Sequence, residues 1–381
     1  MSKIIKIVIS IIIAITLLLI AYFVFQSNEN GNKDTDNETN GMEEYSIIYT
    51  DGQSNFTLSL PKTWENYYTV ETKIEEEIPS TIFNYLAENS TQALLLIVRA
   101  YPASTNIFAI TSTPNTEIIA QTMESIFTLS QPLDVAFEQD GPDFQRYLEM
   151  VEQINEVAQS IKPNAEIYTL NQAIYEQDSN GRRHIDVIYP EIKNGKSFAD
   201  INQIIKEEME KFVSIFKQNL EEWGDVYIPE GAYSALYINY QLKSLDNDLA
   251  SIYFTISENL AGAAHPNNYN DSLSFDLQTN KKIELNDLFK NEEQEYLARL
   301  SELVRADLKS QFAQRDMNTE ESTLQSGTEP KAENFQNFNI TTQGIVFNFG
   351  AYQIAAYAAG EFYSLIPYTQ LQDILQEKFI Q

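Results

Sequence analysis

Few residues of this sequence have the side chains that enzymes use for chemistry. It contains no cysteine and two histidines, His184 and His265. The lack of cysteine excludes disulfides, thiolate metal sites, cysteine nucleophiles and lipid-modified cysteines. The sequence also lacks the motifs of nucleophile elbows, zinc-binding helices, phosphate loops and dinucleotide-binding turns. We therefore predict no catalytic residue, no metal ion and no cofactor.

A glycan-cleaving enzyme stays open as an alternative, because that chemistry needs only two carboxyl groups at a suitable separation. The chain has 55 acidic residues, so the sequence cannot select such a pair. Binding without catalysis is the simpler interpretation.

The best candidate for a binding site is the segment Gly-Ala-Ala-His-Pro-Asn at positions 262–267. It interrupts two predicted strands, and binding residues often lie in loops of this kind. We predict that Gly262, His265, Pro266 and Asn267 contact a ligand. The structural alternative is that His265 holds the loop together through hydrogen bonds of its ring, whereas His184 is predicted to lie on the surface.

Tyrosine is abundant, with 22 residues, and several lie near the C-terminal end. A tyrosine ring offers an apolar face and a polar tip, which suits a binding surface. We add Tyr352 and Tyr357 to the predicted ligand-binding residues. The alternative is that these rings belong to the core or to the faces of a sheet.

The charge balance restricts the partners. With 25 basic and 55 acidic residues, the net charge is −30. Nucleic acids and anionic membrane surfaces bind clustered Lys and Arg, so we predict neither as a partner. The acidic charge favours a cationic partner.

The N-terminal part predicts a membrane anchor. Residues 7–25 carry no charge and are long enough to span a bilayer as a helix. Lys3 and Lys6 precede this run and acidic residues follow it, so residues 1–6 are predicted to be cytoplasmic and the rest extracytoplasmic. A cleaved signal peptide is the alternative. Residues 26–42 are polar and predict a flexible linker.

The remaining sequence predicts an α+β protein with mainly antiparallel sheets and long amphipathic helices. A break at Lys162-Pro163 divides it into two domains, 43–162 and 163–381. Among the predicted elements are a helix over 143–161, another that runs to Trp223, and a terminal helix that begins at Pro367 and carries Leu371, Ile374 and Leu375. The tetrapeptide at 178–181 is predicted to be a turn rather than a calcium loop.

Two stretches resemble known families. The turn Leu-Ser-Leu-Pro-Lys-Thr-Trp at 58–64, after an early strand, resembles the PsbP-like α/β modules. In the second domain, YPEIKNG (189–195), GAAHPN (262–267), SFDLQTNKKIELNDLF (274–289) and FNFGAYQIAAYAAG (347–360) occur in one order. Together they resemble the ectodomains of RsiV-like anti-sigma factors and PdaC-type peptidoglycan deacetylases. This resemblance implies an extracytoplasmic module and, from the lysozyme-sensing members, lysozyme as a partner.

These observations predict a membrane-anchored extracytoplasmic protein of a bacterial cell envelope, without enzymatic activity. Its expected partner is a cationic protein such as lysozyme, or peptidoglycan. The alternatives are an enzyme or accessory subunit that acts on cell-wall glycan, and a purely structural envelope protein.

Overall fold

The chain is described by a computed structural model that covers residues 45–135, 137–138, 141–223, 231–317 and 321–379. The predicted cytoplasmic stub (1–6), anchor (7–25) and linker (26–42) lie outside these residues. Among the described residues, no helix is both long and apolar enough to cross a membrane.

The first half contains eight strands and three short helices. The strands are β1 (Tyr45–Asp51), β2 (Phe56–Pro61), β3 (Tyr68–Glu75), β4 (Ile78–Leu86), β5 (Gln92–Pro102), β6 (Thr116–Gln121), β7 (Ser125–Ser130) and β8 (Lys162–Pro163). The helices are α1 (Ile107–Thr111), α2 (Pro142–Glu152) and α3 (Ile154–Gln159).

The second half of the described chain contains nine strands, two long helices and one short helix. The strands are β9 (Tyr168–Gln177), β10 (Arg183–Lys193), β11 (Ser234–Leu245), β12 (Leu249–Asn259), β13 (Asn267–Asp276), β14 (Lys281–Lys282), β15 (Phe338–Ile340), β16 (Gly344–Phe349) and β17 (Phe362–Pro367). The helices are α4 (Ala199–Trp223), α5 (Glu293–Gln314) and the short α6 (Glu321–Gly327).

Eleven strands form one sheet in the order β14-β13-β12-β11-β10-β9-β6-β7-β5-β4-β3. Two three-stranded sheets, β1-β2-β8 and β15-β16-β17, accompany it. Within the large sheet, the pairings of the described residues are antiparallel except that of β10 with β11. Helix α4 makes the crossover that a parallel pair requires. The predicted α+β class with mainly antiparallel sheets is confirmed, although the helices are few.

Strands from both predicted domains share the large sheet. The two sets meet where β6 pairs with β9, through Ala120 opposite Leu170 and Gln121 opposite Thr169. Residues from Ile47 onward form one compact unit. Separate folding of the two predicted domains stays a prediction.

Three large hydrophobic cores lie along the described residues, beside a small cluster of Ile110, Ile118 and Ile126. One packs α2 and α3 against the first strands, the second packs α4 against β10–β13, and the third surrounds α5 and the sheet β15-β16-β17. In the second core, Ile201, Ile205 and Met209 are completely buried. The stripe predicted from the sequence contains Ile201, Ile205 and the also buried Phe216, but not Met209.

A buried polar network joins the C-terminal sheet to the large one. The side-chain amide of Asn339, fully buried, donates to Ser251 Oγ and to the carbonyl oxygen of Ile252, both at 3.0 Å. Its oxygen accepts from Ser272 Oγ (3.1 Å) and from Asn348 Nδ2 (2.9 Å). Because its hydrogen-bonding atoms are paired, this buried amide can fix the position of β15 over β12 and β13.

Two predicted helices were wrong in detail. The helix over 143–161 is divided at Gln153, whose side-chain oxygen accepts a hydrogen bond from Trp64 Nε1 at 2.8 Å. The predicted terminal helix does not form. The backbone N–H of Gln376 instead donates to Leu288 O, and Lys290 donates to Ile374 O. Leu371 and Ile374 are buried in turns, and the buried Leu375 forms an isolated antiparallel bridge with Phe289.

The tetrapeptide 178–181 is a turn, as predicted. Asp178 Oδ1 accepts hydrogen bonds from the backbone N–H groups of Arg182 and Arg183, and Gly181 has φ +64°.

Candidate functional site

The predicted binding loop, 262–267, connects β12 to β13 and is held at its base. The backbone N–H of Ala261 donates to Ser234 Oγ at 2.9 Å, and the Ala261 carbonyl accepts from Trp223 Nε1 at 3.1 Å. Gly262 follows with φ +88°, a conformation that favours glycine. The rest of the loop therefore projects from a fixed point, and His265, Pro266 and Asn267 are exposed.

Tyr357 connects this loop to the C-terminal segment. Its phenol donates to the carbonyl oxygen of Pro266 at 2.6 Å and accepts from Asn268 Nδ2 at 3.2 Å. Its ring stacks on His265, with the ring centres 4.2 Å apart and the planes 23° apart. His265 Nδ1 lies 2.9 Å from the same Pro266 oxygen, a hydrogen bond when that nitrogen carries the proton.

Tyr352 adds a third ring. It lies 5.3 Å from Tyr357 between ring centres and is 62% exposed. Its φ is +69°, which is unusual for a bulky side chain. Backbone strain of this kind is often found at functional sites. We call the rings of His265, Tyr352 and Tyr357 the ring cluster.

Close packing behind Tyr352 positions the ring cluster. Ile354 is fully buried, and Gly327, the last residue of α6, lies directly against the backbone of Gln353. A Cβ atom at Gly327 would lie 2.1 Å from the Gln353 carbonyl oxygen. Gly327 is therefore required for this segment to reach its position.

All six predicted ligand-binding residues belong to this part of the molecule. Gly262, His265, Pro266 and Asn267 lie in or next to the loop, and Tyr352 and Tyr357 lie in the segment that packs on it. The hydrogen bond of His265 to Pro266 matches the structural role that the sequence left open. Contact with a ligand stays a prediction for each of them.

Ionisable groups near the ring cluster form a separate contact. The Tyr253 phenol donates to Glu361 Oε2 at 3.1 Å, and the Lys243 ammonium lies 4.9 Å from the centre of the Tyr253 ring. Burial, and then the Glu361 charge, raises the pKa of Tyr253, while burial lowers the pKa of Lys243. Because the Tyr253 phenol already donates its proton to the Glu361 carboxylate in a hydrogen bond, we interpret this contact as structural.

Among the residues that the structure describes, no group of three or more His, Asp or Glu side chains is arranged to hold a metal ion.

Comparisons with known proteins agree with a cell-wall context. Residues 286–369 match the family described as "Protein of unknown function (DUF3298)". This chain is 28% identical over 194 residues, 51% of its length, to the peptidoglycan-N-acetylmuramic acid deacetylase PdaC of Bacillus subtilis. It spans 39% of that relative. The matched DUF3298 region contains Tyr352 and Tyr357 but not the loop 262–267.

Two crystal structures of DUF3298 proteins are also similar. The one from Bacteroides fragilis has a TM-score of 0.40 and 20% identity, and covers 56% of this chain and 94% of its own. The one from Pseudomonas aeruginosa PAO1 has a TM-score of 0.42 and 14% identity, and covers 56% of this chain and 95% of its own.

The sequence did not indicate several residues of this region. Asn268, whose side-chain amide donates to the Tyr357 phenol, follows the predicted loop directly and was not among the predicted site residues. Gly327 lies in a stretch interpreted as a loop, where the structure has α6. His184, predicted as a surface residue, is half-buried, and its ring contacts those of Tyr175 and Tyr237 at 5.2 and 5.4 Å between centres. Contacts across strands cannot be read from residue spacing along one strand.

Proposed function

We propose that this chain is a non-catalytic binding module of a bacterial cell envelope and that it binds the glycan of peptidoglycan at the ring cluster. The observation that carries the proposal is the position of Tyr357. Its ring is fixed by two hydrogen bonds and flanked by the rings of His265 and Tyr352 beside an exposed loop. Fixed aromatic rings with polar edges suit sugars, which combine apolar faces with hydroxyl groups.

The partial similarity to a peptidoglycan deacetylase supports the same ligand class. We do not extend the deacetylase activity to this chain, since it spans 39% of that relative. The apolar run at 7–25 supports a single-pass anchor with the described residues outside the cell. Protease added to intact cells should then remove a fragment of nearly full mass.

The test is binding to purified peptidoglycan sacculi. The full chain should sediment with sacculi, and Tyr357→Ala should weaken this association at least tenfold, while Tyr363→Ala should not. Tyr363 is a suitable control because its side chain is 62% exposed, as that of Tyr352 is, and because it lies on β17 outside the ring cluster. Equal sedimentation of the two variants would contradict the proposed site. Release of soluble sugar fragments from the sacculi would instead support the enzymatic alternative.

A basic protein such as lysozyme is a second candidate, favoured by the net charge of −30. General attraction to this charge should disappear at physiological salt, where the Debye length is about 8 Å. A specific interface buries an apolar centre and should keep measurable affinity there. Titration of lysozyme at low and at physiological salt distinguishes general charge attraction from a specific interface. Loss of binding at the higher salt would reject lysozyme as the partner.

A further inference from the structure

One row of side chains crosses the large sheet and ends at the ring cluster. Along it, Tyr175 of β9 lies opposite Asp186 of β10, and Asp186 opposite Tyr237 of β11. Tyr237 lies opposite Ser257 of β12, and Ser257 opposite Asn268 of β13. Directly opposed residues project on the same face of a sheet, so these five side chains form a continuous line, which we call the cross-strand row.

The cross-strand row lies on the face opposite α4. Residues that alternate with it, such as Ile185, Leu236 and Ile256, are buried in the core beneath α4. The row itself is accessible in the part of the chain that the structure describes: Tyr175 is 50% exposed, Asn268 is exposed, and the other three are half-buried.

Aromatic rings stand at both ends of the row. At one end, the Tyr175 ring contacts the ring of His184, which also contacts Tyr237 at the centre of the row. Tyr233, which is 46% exposed, lies beside Tyr237. At the other end, Asn268 bonds to the Tyr357 phenol of the ring cluster. The row spans four inter-strand spacings, roughly 19 Å. That length accommodates several sugar rings, whereas a disaccharide would cover only part of it.

The chemistry of the row differs from that of the whole chain. The parallel rows on either side of it consist of uncharged residues and one histidine: Gln177, His184, Ala235 and Asn259 on one side, and Ala173, Ile188, Asn239, Thr255 and Asn270 on the other. In the three rows together, Asp186 is the only Asp, Glu, Lys or Arg, although charged residues make up 21% of the chain.

The nearly uncharged composition of these three rows favours an uncharged ligand. A basic protein would need carboxylates at the centre of its interface, and a nucleic acid would need cationic side chains. Amides, hydroxyls and tyrosine rings instead match a neutral polymer that has hydroxyl and acetamido groups. A glycan built of N-acetylhexosamines has both.

We infer that the cross-strand row binds an extended, neutral β-linked N-acetylhexosamine chain, which lies across β9 to β13 from Tyr175 to the ring cluster. This inference rests on the proposed function and extends that site to a length of several sugars. Ser257 faces the glycan between the two ends of the row, and the two aromatic ends hold separate sugars.

The test compares chitobiose and chitohexaose as probes of the full chain by calorimetry. We expect the hexamer to bind at least tenfold more tightly than the dimer, because it reaches both aromatic ends. Tyr175→Ala should reduce the affinity for the hexamer about tenfold and leave that for the dimer unchanged. Tyr357→Ala should weaken both, and Tyr363→Ala neither. A change from 50 to 300 mM salt should have little effect, since the ligand is uncharged.

Equal affinities for the two probes, or a Tyr175→Ala variant that binds the hexamer as the wild type does, would overturn the inference while the proposed function stands. Failure of both probes to bind would overturn both. Tyr175→Ala is not expected to unfold the protein, because the side chain is half exposed near the end of β9, and an unchanged thermal midpoint would verify this.

Discussion

The phenol of Tyr357 donates a hydrogen bond to the carbonyl oxygen of Pro266, which precedes it by 91 residues. This bond and the stacked ring of His265 make the β12–β13 loop and the C-terminal segment one structural element. The loop between β12 and β13 contains no helix or strand, and the C-terminal segment around Tyr357 has only the short 3₁₀ helix Tyr357–Ala359. The geometry of the candidate site therefore depends on this pair.

Removing the hydroxyl of Tyr357 tests that dependence. Tyr357→Phe keeps the ring but removes the two hydrogen bonds of the phenol, to Pro266 O and from Asn268 Nδ2. We expect a loss of about 1 kcal/mol or less in the free energy of unfolding, since both hydrogen bonds that are removed are exposed to solvent. Amide exchange in the loop 262–267 should become faster, as measured by mass spectrometry. Tyr363→Phe is the matched control, and equal exchange in the two variants would show that the bond does not hold the loop.

The close approach at Gly327 is expected to be sensitive to a single methyl group. In Gly327→Ala the new Cβ would meet the Gln353 carbonyl at 2.1 Å, so the segment that carries Tyr352 must move. We expect a loss of about 1–3 kcal/mol in the free energy of unfolding, measured in urea, and weaker binding to sacculi. Gly350→Ala serves as control, because a Cβ there has no atom within 4 Å. Similar stability of both variants would refute the requirement.

Stability should depend on pH through Asp271 on β13. The pKa of this carboxyl is raised to about 6, mainly because the group is buried. Its charged neighbours are Glu208, Lys211 and Lys282. The unfolded value is about 3.9, so the folded state favours the protonated form. The resulting stabilisation is complete below pH ~4 and is lost as the pH rises through ~6.

Asp271→Asn removes this titration. Between pH 4 and 7, the free energy of unfolding of the wild type should fall relative to that of the variant. The change should be at most about 2–3 kcal/mol, reduced by solvent because the side chain is half-buried. Urea unfolding at several pH values measures it. Parallel pH profiles for the two proteins would show that Asp271 titrates normally.

Residues 165–381 are expected to fold without residues 43–162. The fragment keeps two of the three cores and loses the pairing of β9 with β6, which comprises two residue pairs. It should show a single cooperative urea transition, at a lower midpoint than the 43–381 fragment because β9 becomes an edge strand. A fragment that aggregates or unfolds gradually, beside a well-behaved 43–381 fragment, would show that the chain is one folding unit.

Features set by local pattern could be predicted from the sequence. The apolar stripe of α4 and the alternation in β11 and β12 follow from spacing along one element, and the loop 262–267 follows from its composition. The ring cluster was predicted only as separate residues, since nothing in the sequence relates Tyr357 to Pro266. The terminal helix was wrong because Leu371, Ile374 and Leu375 are buried by turns that bond to residues 288–290. A helical spacing of apolar residues does not reliably predict a helix in a short segment, because the backbone of such a segment can form its hydrogen bonds with other parts of the protein.

The junction between β6 and β9 also has a mechanical consequence. The strands before this junction belong to a different hydrophobic core from the strands after it. In the sheet, only the two residue pairs between β6 and β9 connect the two sets of strands among the residues described. If the N-terminal end is fixed in a membrane and the C-terminal half holds the cell wall, tension between membrane and wall must pass through this junction. We expect it to yield before either core, which would lengthen the molecule while the ligand stays bound. Pulling single molecules by their two ends should show an early extension step, in which β9 separates from β6 at Thr169 and Leu170. Unfolding in a single step with no intermediate would argue against this expectation.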